Sequence, residues 1–291
     1  MAGAKSEFVR LMLYDHDGQL LWTRPLFEET TYPGDSRNGP ESMAVPYDAG
    51  YLVPIVVDKQ DACILTTAYA SYPARMQIML YDKNGQKISG PYIHTGHDNR
   101  VVARSVDVNQ DGNDEVVIGV YNRRCKQAAL LILDPTNMGG VNPPYDNELF
   151  LNSGMPKGTQ KYYILFPQIE FLRGNDATCD VGHFYPIDSN TYSVGISYNG
   201  VFSYRGNTIS YGSPYGPIAL DYIFDRNFIP IGIWHPDHTM EKINGLLRQM
   251  GEDTITDPER WIENLKLNVI VYHGDSIVHH LSAGIDFYRQ H

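Results

Sequence analysis

Cysteine is scarce. Cys63, Cys125 and Cys179 are odd in number, widely spaced and without a C-x-x-C, which excludes a disulfide framework and a zinc ribbon and leaves three buried thiols as the expectation. Basic residues are also in deficit. The 23 Lys+Arg against 34 Asp+Glu give a formal charge of −11, which argues against a protein that tracks nucleic-acid phosphates or an anionic membrane. No apolar run approaches the roughly 18 residues that span a bilayer. The start, Met1-Ala-Gly-Ala-Lys-Ser-Glu-Phe8, holds no apolar stretch, so no signal peptide is expected. There is no Walker loop, nucleophile elbow or dinucleotide glycine fingerprint. Gly212-Ser-Pro-Tyr-Gly216 is turn chemistry, not a phosphate cradle.

What is abundant points to β structure. The 21 Tyr, 26 Gly and 18 Pro in 291 residues suit many short strands joined by turns. A repeat organises them. Met12-Leu-Tyr-Asp15-His-Asp-Gly18-Gln19 returns as Met79-Leu-Tyr-Asp82-Lys-Asn-Gly85-Gln86, offset by 67 residues, and each copy reads as strand, Gly turn, strand. Weaker copies stand at Leu131–Asp134, Val201–Asn207 and Val269–Asp275. Further strand candidates are Val101–Val106, Glu115–Tyr121, Tyr162–Phe171, Thr191–Ser197, Ala219–Phe224 and Phe228–Trp234.

Most intervals between hairpins therefore hold about four strands, the content of a propeller blade. The expectation is one all-β domain over residues 1–291, a β-propeller of about five blades. The tail Gly284–Arg289 is the candidate for a ring-closing strand. Phe27–Tyr51 reads as a long Pro/Gly/Ser loop. Thr239–Lys266 reads as a helical insertion: Met240, Ile243, Leu246 and Leu247 keep helical spacing, and Asp257-Pro258 is an N-cap followed by proline at the first helical position.

The densest chemistry lies in Asp107-Val-Asn109-Gln-Asp111-Gly112-Asn113-Asp-Glu115. Oxygen side chains at positions 1, 3 and 5, Gly at 6, a backbone carbonyl at Asn113 and a carboxylate at 9 suit a hard cation such as Ca²⁺. An EF-hand is excluded, because its twelfth position is Ile118 and strand candidates flank the loop. The stretch Arg104–Gly119 resembles the FG-GAP/VCBS-type propeller repeat. That resemblance implies Ca²⁺ held between the first two strands of a blade by Asp107, Asn109, Asp111, Asn113 and Glu115, in a structural role.

Just upstream, His94-Thr-Gly-His97-Asp-Asn-Arg100 leads into the presumed innermost strand of a blade. Together with the acidic loop it is similar to a stretch of propeller polysaccharide lyases of the rhamnogalacturonan and ulvan types. The resemblance implies proton abstraction beside a uronate carboxylate by a His or Tyr, with positive charge neutralising the acid. His97 and Arg100 match those residue types. His183-Phe-Tyr185, at the start of another β unit, is the second candidate: Tyr185 as base, His183 as the neutralising group. Trp234-His235-Pro-Asp237-His238 reads as a turn with Asp237 capping the following helix, since Pro236 prevents a helical His-x-x-His zinc pair. His279 and His280 would point to opposite faces of a strand.

Two functions follow from different classes. One is a calcium-binding propeller that cleaves uronate-containing glycan by β-elimination. The other is a non-catalytic propeller that binds a glycan or another protein through Tyr and Trp surfaces. The expected partner is an anionic polysaccharide or a protein. The family resemblance favours an extracellular or cell-surface setting.

Overall fold

The computed structural model describes residues 10–25, 48–57, 61–71, 74–95, 102–122, 127–142, 156–169, 178–204, 207–211, 218–274 and 276–279. Strands dominate them, with two α-helices and one 3-10 turn among the described residues. The chain divides into two compact units, each described by itself: Met1–Ile118 with Asn122–Arg124 and Ile132–Lys161, and Gly119–Tyr121 with Cys125–Leu131 and Tyr162–His291.

The first unit opens with the hairpin β1 (Arg10–Tyr14) and β2 (Leu20–Pro25). An up-and-down meander follows: β3 (Asp48–Val57), β4 (Asp61–Ser71), β5 (Ala74–Tyr81) and β6 (Lys87–Thr95), antiparallel throughout. Every side chain from Met76 to Tyr81 is buried, the signature of a strand covered on both faces. The two hairpin turns are alike in atomic detail. Asp15 Oδ1 accepts from the amides of Asp17 (2.9 Å) and Gln19 (2.8 Å), and Asp82 Oδ1 accepts from those of Asn84 (2.8 Å) and Gln86 (2.7 Å). The repeat joins the two hairpins as well. The Trp22 ring lies flat on Gly85, where a Cβ would fall 2.6 Å from the indole, and its Nε1 donates to Lys83 O at 2.9 Å.

β7 (Val102–Val106) and the start of β8 (Glu115–Asn122) flank the acidic loop, so the expected strand–loop–strand order is present. β8 passes from the first unit into the second after Ile118, and β9 (Gln127–Leu133) starts in the second and returns to the first at Ile132. The weak repeat copy at Leu131–Asp134 does not form a hairpin. Asp134 Oδ1 accepts from the Thr136 amide at 2.9 Å and Pro135 fixes the next φ, so a 3-10 turn (Pro135–Asn137) forms instead. The chain then enters β10 (Gly140–Asn142), which pairs with β6 in parallel. Asp48–Tyr51, read from sequence as loop, belongs to β3; residues 27–47 lie outside the described residues.

In the second unit, β11 (Tyr162–Leu165) pairs antiparallel with β17 (Ile270–His273), which pairs with β18 (Ser276–His279); the strand order is β18-β17-β11-β9-β8. The other sheet is the meander β12 (Thr178–Pro186), β13 (Thr191–Tyr204), β15 (Ile218–Asp225) and β16 (Pro230–Trp234). β14 (Asn207–Tyr211) pairs with the far end of β13, so the repeat copies at Val201 and Val269 are hairpins, as the sequence predicts. Phe228 is not a strand residue. It adopts φ 58° in the turn before β16, fully buried against Tyr162 (5.0 Å) and Tyr192 (5.3 Å). Asp225 Oδ1 caps that turn through the amides of Asn227 and Ile229, both at 2.9 Å, repeating the Asp15 and Asp82 arrangement.

The helical insertion is α1 (Thr239–Met250) and α2 (Pro258–Leu267), against β15 and β16 respectively. Asp257 Oδ1 accepts from Arg260 N at 3.0 Å and Pro258 opens α2, as its sequence signature requires. The start of α1 differs from expectation. His238 is its N-cap residue without a side-chain cap bond, and Asp237 does not cap it.

Each sheet among the described residues is open-ended. The all-β class holds. The proposed ring-closing tail, residues 284–289, lies outside the described residues.

Candidate functional site

Two places carry the chemistry that the sequence singled out, one in each unit.

In the first unit, the loop between β7 and β8 is tightly wired, with Gln110 (φ 62°) and Gly112 (φ 90°) in the left-handed region. Asp107 accepts the amides of Asp111 (Oδ1, 3.1 Å) and Gly112 (Oδ2, 2.8 Å). Asn109 Oδ1 accepts the Asp111 amide at 2.9 Å, and Asp111 Oδ1 accepts the Asn113 amide at 2.8 Å. The Asn109 amide nitrogen then bridges Asp111 Oδ2 (2.9 Å) and Glu115 Oε1 (3.0 Å). Glu115 is buried; its Oε2 takes the Val108 amide at 3.0 Å, and its Oε1 meets Lys161 Nζ at 2.6 Å. Asp114 faces the other way. Its Oδ2 accepts from Ser105 Oγ and from the Val56 amide (3.2 Å), while its own amide donates to Val56 O at 3.1 Å, tying the loop to β3.

Charge follows this wiring. The Asn113 amide, the Asn109 side chain and the Lys161 charge hold the Asp111 carboxyl below the ordinary aspartate value. Burial works against the charge on Lys161, but Glu115, with Asp134 and Asp111, outweighs it and holds the amine above the ordinary lysine value. Among the described residues no group of three or more His, Cys, Asp or Glu side chains gathers as metal ligands. The residues expected to hold Ca²⁺ do converge on one turn. The side-chain oxygens of Asp107, Asn109, Asp111 and Glu115 are already met by donors of the chain.

In the second unit, the β12-β13-β15-β16 sheet has two unlike faces. One is core: Val181, Phe184, Val194, Ile196, Leu220 and Tyr222 are buried on it. The other is polar. Strand register sets His183, Gly195, Asp221 and Trp234 side by side across the four strands, with Tyr185 and Ser193 in the next row. A bulge decides this face. The register slips between Val181 and His183, so Gly182 is the extra residue, and Asp180 and His183 share a face that simple alternation would deny them.

Gly195 decides the chemistry. Opposed strands lie about 5 Å apart, so His183 and Asp221 are two strands from each other. With no side chain between them, the imidazole lies flat over Gly195, where a Cβ would fall 2.1 Å from His183 Cε1. Nε2 reaches to 3.3 Å from Asp221 Oδ1. That is ion-pair distance without hydrogen-bond alignment, so Nε2 makes no hydrogen bond among the described residues. Burial pushes the Asp221 carboxyl up, and His183 opposes the shift. The Tyr185 ring stacks on His183 with centroids 5.0 Å apart and planes at 24°. Tyr185 is 46% exposed and Trp234 58%, which leaves both rings open to a ligand face. The Ser193 hydroxyl is buried without a hydrogen-bond partner among the described residues.

The sequence-selected His183 and Tyr185 are thus brought together. Asp221, Gly195 and Trp234 were not selected as their partners, because only strand register joins positions that far apart in the chain. His97 and Arg100 lie outside the described residues, as does His280. His235 Nδ1 sits 3.2 Å from Pro236 O, and His238 is 3.9 Å from Glu241, so these two histidines serve the turn into α1. Cys63 and Cys179 are buried thiols. No helix of the described residues is long and apolar enough to cross a membrane. No protein-family model matches the chain, and a comparison with curated proteins gave no match.

Proposed function

We propose that the protein acts on carbohydrate, binding an anionic polysaccharide on the polar face of β12–β16 and cleaving uronate linkages by β-elimination. The observation that carries the reading is the imidazole of His183 held over Gly195 against Asp221, with the exposed Tyr185 ring stacked on it. A protonated His183, in ion-pair reach of Asp221, offers positive charge to the uronate carboxylate and favours the enolate that develops. Tyr185 takes the C5 proton. The C5–H electron pair becomes the C4=C5 double bond, the C4–O bond breaks, and Tyr185 returns its proton to the leaving oxygen. Trp234, in register with Asp221, supplies an apolar platform for a neighbouring sugar face. His97 and Arg100 are the alternative base and neutralising group from the sequence resemblance.

The same reading treats the fold as propeller-type, with about five blades. It is supported by two four-stranded antiparallel meanders of blade form, β3–β6 in the first unit and β12, β13, β15 and β16 in the second. A second function rests on the exposed rings alone: Tyr185 and Trp234 suit a module that binds a glycan, or another protein, without cleaving it.

Incubation with pectic and ulvan-type uronate polymers, and with a neutral glucan as control, separates the two. Cleavage gives a steady rise in the absorbance of the unsaturated uronate, on the uronate polymers alone, lost in Tyr185→Phe and His183→Ala. Binding to a glycan array with no absorbance change on any uronate polymer would sink the lyase and leave the binding module.

A further inference from the structure

We propose that the acidic loop at Asp107–Glu115 carries its own cation: the ammonium of Lys161, aided by the Asn109 amide, replaces a bound Ca²⁺. The sequence pattern asks for a metal, but donors of the chain already meet the oxygens that would hold it. Each of the seven side-chain oxygens of Asp107, Asn109, Asp111 and Glu115 accepts at least one donor from the chain. Two of these contacts do what a cation would do. Asn109 turns its NH₂, not its oxygen, between Asp111 and Glu115, and so bridges two carboxylates. A cation there would face an amide donor, and admitting it would require the amide to flip and give up both bonds.

The second contact is Lys161. Its Nζ lies 2.6 Å from Glu115 Oε1, and the Glu115 side chain is only 4% exposed. A buried carboxylate without a partner is costly, and a charge-assisted bond of this length supplies one. Lys161 is anchored at its backbone, whose amide donates to Ile132 O at 2.8 Å just before β11. A Ca²⁺ ion at the same carboxylate would meet a fixed positive charge within a few ångströms.

The test uses the full chain in chelator and in millimolar calcium, read by thermal melting and by terbium luminescence sensitised through Tyr and Trp. The wild type is expected to melt at the same temperature in both and to show no saturable terbium signal. Lys161→Met should melt several degrees lower in chelator and regain part of that loss in calcium, because Glu115 is then free to bind a metal. Lys161→Arg should behave as the wild type. A calcium-raised melting temperature or saturable terbium binding in the wild type overturns the proposal. So does a Lys161→Met protein that melts like the wild type in chelator. Should Lys161→Met fail to fold, the wild-type comparison still decides.

Discussion

Replacing Gly195 by alanine adds one methyl group and should uncouple the His183–Asp221 pair. The new Cβ would lie 2.1 Å from Cε1, 2.4 Å from Nδ1 and 2.6 Å from Nε2 of His183, while ordinary contact begins near 3.4 Å. The ring must retreat by about 1.3 Å, and β13 is the central strand between its two partners, so it can only lift away from the sheet. Nε2, now 3.3 Å from Asp221 Oδ1, then leaves ion-pair reach. Because His183 is half-exposed, the ring can swing out, and the cost falls at the low end of overpacking, about 1 kcal/mol. For a chain of this size that is a drop of roughly 2–4 °C in melting temperature. The sharper readout is coupling. The change in melting temperature caused by Asp221→Asn should differ between the wild type and the Gly195→Ala background, because only the wild type holds the imidazole against that carboxylate. Gly232→Ala, on the edge strand with nothing within 4 Å of its new Cβ, is the control and should change neither. If Gly195→Ala matches the wild type in both melting and coupling, the glycine is not what lets the imidazole reach Asp221.

The other expectations follow from particular side chains. Burial holds the Asp221 carboxyl above its ordinary value, so the folded state binds its proton more tightly than the unfolded chain does. The carboxylate therefore opposes folding above the ordinary aspartate value of 3.8, and this opposition fades as pH falls through the raised value. Asp221→Asn should remove that component from a plot of melting temperature against pH while abolishing any cleavage that needs the His183 pair. Phe228→Ala empties a fully buried site between Tyr162, Tyr192 and Phe224. It should cost about 3–5 kcal/mol in denaturant unfolding, and a loss below 1 kcal/mol would contradict the packing described. Asp257→Ala removes the α2 cap bond and should cost about 1 kcal/mol by the same measurement.

Local chemistry was legible in the chain wherever it is settled between near neighbours. The Asp-capped turns at Asp15 and Asp82 and the strand–loop–strand around Asp107–Glu115 follow from Asp, Asn and Gly at fixed offsets. So does the start of α2 at Asp257-Pro258. The same reasoning failed where the signal was thin or its residue unusual. Asp225 repeats the capped turn with Phe228 in the glycine position, and the burial of that ring sustains the left-handed φ, so Phe228 reads from sequence as the first residue of a strand. The copy at Leu131 matches the repeat in its apolar run and in Asp134 but lacks the turn glycine, and Asp134-Pro135 sends the chain into a 3-10 turn.

The candidate site shows the same division. Sequence alone selected His183 and Tyr185, from their place at the start of a β unit. It could not select Asp221 or Trp234, because register across β12, β13, β15 and β16 depends on how the strands pair. Nor could it foresee that one unmatched residue, Gly182, would return His183 to the face of Asp180. In the acidic loop the ligand-like spacing was read directly, while the charge that meets Glu115 comes from Lys161, 46 residues later in the chain. Deficits of cysteine and of basic charge excluded a disulfide framework and argued against a phosphate-tracking protein, because composition acts on every residue alike. The partners of each buried charge were decided by tertiary structure, because desolvation makes a carboxylate such as Glu115 take whichever donor the fold delivers.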